Sequence, residues 1–367
     1  MRMKNLSVKR LSCLCIGAVL SASLFTSCEL MTEDRDDCPM GLYLNFRYDY
    51  NLQRADMFND HVGAVDVYVF DENGKYVTMR SEANIDNLRP LASPSYMMKM
   101  DLPAGKYKFI VLGGQTSYDN QMKSGRARFV RTELKAGDDM TAMNITLDTE
   151  TDGNILIVDN NGQPLDTLWH GMEVVPVEVF AEKPTYHTIS LMRDTKKINV
   201  ALRELDDPTM MDVANYDMTI TDKNSHLLWD NTVDESCTVV YTPHAMWNSE
   251  DRTPTIDSND NQIEGTGKIG HADFMTSRII YHDNVADDGI LSVVNKKTGV
   301  EVIRVDLPDL LSRLRTSEEL YAYSEQEFLD RGYDYQLDFF LKGDRLAYVN
   351  ISISILGWSK RVQFEEL

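Results

Sequence analysis

The chain is poor in the residues from which most recognisable catalytic and metal sites are built. Its 367 residues include five cysteines, seven histidines and four tryptophans. No cysteine pair has CxxC spacing and no histidine pair has HExxH spacing, so the sequence contains no zinc-ribbon or zincin motif. GxSxG and Walker-type glycine patterns are missing too, which removes the motif-based cases for an α/β-hydrolase or a P-loop NTPase. Positive charge is scarce: 37 Lys and Arg stand against 58 Asp and Glu. Phosphate recognition needs a cationic footprint, so no nucleic-acid partner is expected. Long apolar runs are confined to Leu11 to Leu24, shorter than the roughly 20 residues that span a bilayer. No cofactor is expected.

Partial motifs fail on inspection. Gly113-Gly114 follows a strand pattern but lacks the third glycine and the helix start of a dinucleotide site, and reads as a bend. Asp257-Ser258-Asn259-Asp260-Asn261 opens like a calcium loop, yet Gln262 occupies the glycine position and Lys268 the place of the bidentate Glu. It reads as a solvated loop. With 58 acids, some carboxylate pair falls at glycosidase separation in any fold, so that signal carries no information. Trp169 and Trp247 have the chemistry to stack on sugars, but a β-rich chain of this size also needs aromatic core residues.

What is present begins at the amino terminus. Arg2, Lys4, Lys9 and Arg10 precede the apolar stretch, and small Thr26 and Ser27 abut Cys28. This is the layout of a lipoprotein signal, with residues 1–27 removed by cleavage between Ser27 and Cys28 and the cysteine lipidated. Phe25 stands where bacterial lipoboxes usually carry Leu, and an ordinary secretory peptide cleaved nearby is the alternative. Several acyl chains, at about 0.8 kcal/mol per buried methylene, anchor firmly where one binds reversibly. Removing residues 1–27 takes away four basic and no acidic residues, leaving a formal charge of −25. Residues 28–39, with Glu29, Glu33, Asp34, Asp36 and Asp37, read as a lipidated acidic tether. Cys13 and Cys15 leave with the signal, so Cys38 and Cys237 are the remaining thiols. They are either a disulfide closing a loop of about 200 residues, worth about 5 kcal/mol in the chain-entropy model, or two unrelated cysteines.

From Leu42 onward the dominant period is two. Val65, Val67 and Val69 alternate with Asp66, Tyr68 and Phe70 before an Asp71-Glu72-Asn73-Gly74 turn, which makes a hairpin with the strand from Tyr76. Leu102-Pro103-Ala104-Gly105 feeds a second strand, and Pro176 marks an edge or a bulge in a later one. A second series starts at Ile198, with an Asp222-Lys223-Asn224-Ser225 turn. The polar stretch from Met246 to Asp273 reads as a long surface loop. Pro308 to Leu320 has helical spacing, with Leu310, Leu311 and Leu314 on one face. Ser324 to Glu327 is a capping box, and Gly332 stops the helix it opens. Strands around Tyr335 to Leu341 and Val349 to Ile355 close the chain, with Arg361 to Phe364 available as a short extra strand. About 340 mature residues exceed one core, so the expected division is an N-terminal β-sandwich over 40–194 and a C-terminal β-sandwich over 195–367.

These motifs in this order resemble a known family. Cys38-Pro39 with Leu42 to Tyr48, Val65 to Val77, Leu102 to Gly114, Ser190 to Arg193 with Lys197 to Val200, and Ile351 to Trp358 are similar to the FimB-like fimbrial anchor lipoproteins of Bacteroidales. Many members carry Trp where Leu112 stands. The acidic residues after Cys28 resemble the surface-export signal of Bacteroidetes lipoproteins. The resemblance implies an all-β fold of two tandem transthyretin-like β-sandwich domains, with short helices in the second. It also implies a non-enzymatic lipoprotein, held in the outer membrane through the lipid on Cys28 and exposed at the cell surface. Its partners would be fimbrial shaft or accessory subunits, bound by strand exchange. The alternative is a surface glycan-binding lipoprotein of a polysaccharide uptake system, which needs a platform of two or three exposed aromatics.

Overall fold

The computed structural model describes residues 40–364, except positions 154, 159, 257–261 and 356–357. Ser27, Cys28, Cys38 and the Asp257 to Asn261 stretch lie outside the described residues.

Three large sheets make up the fold. Sheet I has seven strands in the order Tyr76–Ala83, Ala64–Asp71, Gly105–Gly114, Trp169–Val179, Thr185–Arg193, Leu42–Tyr50 and Met98–Met100. Sheet II runs Ala245–Asp251, Gly267–Thr276, Lys196–Glu204, Asp334–Leu341, Leu346–Ile355 and Trp358–Phe364. Sheet III runs Glu301–Asp306, Ile290–Asn295, Tyr216–Asp222, Val239–Tyr241, Ile155–Ile157 and Glu150–Asp152. A smaller sheet of His226–Leu228, Asn144–Leu147 and Phe129–Arg131 covers one face of sheet I. The result is the expected β-sandwich architecture, with the Arg361 to Phe364 segment forming part of the last strand.

Local chemistry explains the turns. Asp71 Oδ1 accepts from the amides of Asn73 and Lys75, both at 2.9 Å, and Gly74 takes φ +78°, which a side chain would resist. Opposite Gly105–Gly114, the strand Trp169–Val179 shifts register between Glu173 and Val177, so Pro176 sits in a bulge where its missing N–H costs no ladder bond.

Sheet I is buried on both faces at its centre. Val65, Val67 and Val69 join Phe109, Val111 and Phe58 in one core. Tyr68 and Phe70 join Ile110, Leu112 and Phe129 in the other, which continues without a break into Leu337, Phe339 and Val293 of the second half. Asp66, on that second face, is paired with Arg131, itself buried. The two halves also exchange strands. Asn144–Leu147 pairs with His226–Leu228, and Ile155–Ile157 lies parallel to Val239–Tyr241, so chain from each side of residue 194 completes sheets on the other.

Three local expectations are corrected. The Met246 to Asp273 stretch is not a loop at its two ends, where Ala245–Asp251 and Gly267–Thr276 form an antiparallel ladder, and Thr255–Ile256 pairs with Gln262–Ile263 between them. Its glycines imitate turn signals, but Gly270 is there because a Cβ would meet Val213 Cβ at 3.0 Å. The Pro308 to Leu320 helix breaks: Leu307–Ser312 ends, and Ser317 opens a separate turn at Glu318–Tyr321, accepting from the Leu320 amide at 3.4 Å. Leu310, Leu311 and Leu314 are nonetheless all buried. The capping box is half formed. Ser324 Oγ accepts from the Glu327 amide at 3.1 Å, whereas the Glu327 carboxylate takes Arg331 Nε at 2.9 Å. Gly332 does stop the helix, in an extended conformation; a Cβ there would lie 2.1 Å from the Tyr335 hydroxyl oxygen.

Candidate functional site: open edges and a charged joint

A protein that binds by strand addition needs an unpaired sheet edge. Sheet I ends in Tyr76–Ala83, whose register with Ala64–Asp71 runs from Tyr76 to Ala83. Its first residue is covered, since the Tyr76 amide donates to the Asp138 carbonyl at 2.8 Å and the Gly137 amide to the Tyr76 carbonyl at 2.9 Å. Beyond that point residues 77–81 are all exposed, Val77 and Met79 at 43% and 44%. Sheet II ends in Ala245–Asp251 on one side, where Trp247 is 43% exposed and stacks on His271 with centroids 4.8 Å apart. Its other edge is Trp358–Phe364.

Between the two halves lies a joint made of charge. Thr185–Arg193 in sheet I passes into Lys196–Glu204 in sheet II through Asp194 and Thr195 alone. Arg193, Asp194, Thr195 and Lys196 are all buried. Lys196 Nζ donates to the carbonyls of Gly332 at 2.8 Å, Asp330 at 2.9 Å and Arg193 at 3.3 Å. Arg278 forks onto Asp330, Nε and Nη2 each at 2.8 Å, and Asn231 Nδ2 donates to Asp194 Oδ1 at 2.8 Å. The Arg193 guanidinium lies over the Tyr333 ring at 4.4 Å. Burial pushes the Asp194 carboxyl up and the Lys196 ammonium down, while the opposite charges around each pull back toward the ionised forms. His170, beside this joint, contacts the Trp229 carbonyl through Nε2 at 3.1 Å, and burial lowers it to about 4.

A buried ion network is a weak source of net stability compared with apolar packing, but removing one member leaves another charge buried and unpaired. Its hydrogen bonds tie the Arg193 to Lys196 link to Asn231 and to the 330–332 segment of the second half. In sequence, Arg193-Asp194-Thr195-Lys196 looks like a solvated turn. Its one readable signal is position, because it lies between two strands with no glycine, proline or asparagine to turn the chain.

The other expected site residues are dispersed. Cys237 is exposed between His226–Leu228 and Val239–Tyr241. Trp169 is fully buried, its ring edge-on to Tyr48 with centroids 6.0 Å apart, and so belongs to the core. Trp247 is on the surface of sheet II, away from it.

Comparison with known proteins places this architecture. Residues 35–364 match the family model described as fimbrillin-A associated anchor proteins Mfa1 and Mfa2. The minor fimbrium anchoring subunit Mfa2 of Porphyromonas gingivalis is 23% identical over 288 residues, 77% of this chain and 74% of that protein. A protein from Bacteroides thetaiotaomicron described as an adhesin superposes with a TM-score of 0.70 at 27% identity, covering 89% of this chain and 98% of the other. The fimbrial anchor protein Mfa2 of P. gingivalis shares the fold with a TM-score of 0.57 at 18% identity, over 88% of this chain and 99% of that one. The resemblance read from the strand motifs thus holds over nearly the whole described length, and the chain belongs to the Mfa1 and Mfa2 family of fimbrillin-A associated anchor proteins.

Proposed function

We propose that the chain is a non-enzymatic outer-membrane lipoprotein that holds a fimbrium at the cell surface. In this reading Cys28 carries the lipid, residues 28–39 span the distance to the membrane, and the units 40–194 and 195–367 present the binding surface. The observation that carries it is the family match over residues 35–364 directly behind a lipobox ending at Cys28. Fimbrial shaft or accessory subunits are the partners. Strand exchange takes place at Tyr76–Ala83, which among the described residues is the edge with the longest run of exposed residues and has apolar Val77 and Met79 available to a partner's alternate side chains.

The test has two parts. Cys28→Ala should move the protein from the outer-membrane fraction to the soluble fraction with its fold unchanged; retention of the variant wholly in the membrane refutes the lipid assignment. Crosslinking and pull-down of the native lipoprotein should recover fimbrial subunits, and Met79→Pro, which deletes an amide that points away from Ala64–Asp71, should reduce that recovery. Full recovery with the variant moves the docking edge elsewhere.

A second reading, glycan binding, draws on exposed Trp247 stacked on His271. It predicts retention on a polysaccharide column that Trp247→Ala abolishes, with no fimbrial subunits in the pull-down.

A further inference from the structure

Exposed apolar side chains surround the point where the chain enters sheet I. The Thr185 amide donates to the Gly41 carbonyl at 2.9 Å, and Tyr43 stacks on Tyr186 with ring centroids 5.4 Å apart. Tyr186 is 58% exposed. The hairpin that leads into Thr185 is unpaired along part of its length. Trp169–Val179 pairs with Thr185–Arg193 only from Trp169 to Gly171, and its register with Gly105–Gly114 passes directly from Glu173 to Val177. Val174, Val175 and Pro176 therefore have no ladder partner on either side, and all three are exposed, Val175 at 70%.

The protrusion is fixed at its base. Glu173 Oε1 accepts from the Val175 amide at 3.0 Å, and Glu173 Oε2 contacts His187 Nε2 at 3.0 Å. Pro176 has no N–H, so neither Val175 nor Pro176 offers a bare donor to an apolar medium, where one is costly. Farther along the hairpin Phe180 is exposed, and Lys183 Nζ lies 3.8 Å from the centroid of its ring. A run of exposed apolar residues is unfavourable in water and marks a surface that something covers.

The chain before residue 40 identifies the cover. The tether, residues 28–39, is twelve residues long, at most about 43 Å when fully extended, and it leads into the Gly41 that Thr185 holds. This step rests on the reading in which Cys28 carries the lipid. A tether of that length keeps the hairpin near the bilayer at an effective concentration on the order of millimolar, so a weak contact suffices to dock it. Tyrosine and lysine keep a polar tip in water while their bodies meet lipid, and valine and phenylalanine enter the acyl boundary. Glu178 and Glu182 are exposed on the same hairpin and offset Lys183, so apolar burial, not headgroup charge, drives the contact. We propose that Val175, Phe180 and Tyr186 seat in the interfacial layer of the bilayer that holds the lipid anchor. This second, protein-borne attachment lays the N-terminal unit on the membrane.

The test uses the native lipoprotein carrying Tyr186→Trp, reconstituted in phosphatidylcholine vesicles with and without bromine on the acyl chains. It reads the tryptophan emission in excess of the wild-type protein on the same vesicles. Bromine should quench that emission at low and high salt alike, and adding Val175→Asp should remove the quenching. Val175 is exposed, so the new charge leaves the fold intact. A lipoprotein that floats with the vesicles but is not quenched overturns the inference and leaves the lipid assignment standing. One that does not float refutes the lipid assignment and this inference with it. Quenching unchanged by Val175→Asp, or abolished by high salt, also overturns the inference.

Discussion

Lys196→Met is the sharpest perturbation of the joint. Methionine keeps the apolar length of the lysine stem and removes only the ammonium, which is fully buried and donates to three carbonyls. The carbonyls of Asp330 and Gly332 lose a donor at 2.9 and 2.8 Å, and each buried acceptor left bare costs about 1–3 kcal/mol. Asp194 and Asp330 also lose a cation while remaining buried. Removing one member of a buried ion network costs about 3–5 kcal/mol, so the expected loss is of that size, a large part of the roughly 5–15 kcal/mol that a folded domain commands. Equilibrium urea unfolding followed by far-UV circular dichroism at pH 7 measures it, with Lys75→Met as the control. Lys75 pairs with Asp139 at 3.2 Å across an exposed surface, where such pairs contribute about 0–1 kcal/mol. If Lys196→Met costs no more than Lys75→Met, the charged joint does not hold the halves together and the reasoning fails.

His170 predicts a pH dependence. Burial lowers its folded-state value to about 4, so between about pH 6.5 and 4 the unfolded chain binds the extra proton and stability is lost as pH falls through that window. The full loss is about 3 kcal/mol at 1.36 kcal/mol per pH unit, and His170→Gln should flatten that part of the stability profile; an unchanged slope would place the titration elsewhere. Gly332→Ala should cost about 1–3 kcal/mol, because the new methyl meets the Tyr335 hydroxyl and Ile353 Cδ1. A thermal midpoint equal to wild type would show that the site has room. A Cys38–Cys237 disulfide predicts no reactive thiol in the unfolded, lipidated chain, and two reactive thiols would remove it.

The strands whose outward residues are polar could be read from period two, and so could the hairpin turn at Asp71 to Gly74, where Asp side-chain geometry and a left-handed glycine act within four residues. What sequence hid are features set by contacts distant in the chain. Gly270 reads as a turn residue until Val213 is seen beside it. Ser317 competes locally with a helix that the leucine spacing extends to Leu320. Arg193 to Lys196 reads as solvated because the compensating partners, Asn231, Arg278 and Asp330, come from segments up to 137 residues away. The exchange of strands across residue 194 is invisible for the same reason, since short strands such as Ile155–Ile157 carry no mark of which sheet they join.

The placement of Leu42–Tyr50 bears on how the molecule carries force. This first strand lies inside sheet I, parallel to Thr185–Arg193 on one side and antiparallel to Met98–Met100 on the other. A pull on residue 40 directed along the strand loads its ladder bonds together, in shear, as in a lap joint; peeling one bond at a time would require a sideways pull. The parallel neighbour then leads through Asp194 and Thr195 into Lys196–Glu204, itself parallel to Asp334–Leu341. With the proposed docking at Tyr76–Ala83, tension entering at the amino terminus would instead cross sheet I from strand to strand, through Thr185–Arg193, Trp169–Val179, Gly105–Gly114 and Ala64–Asp71.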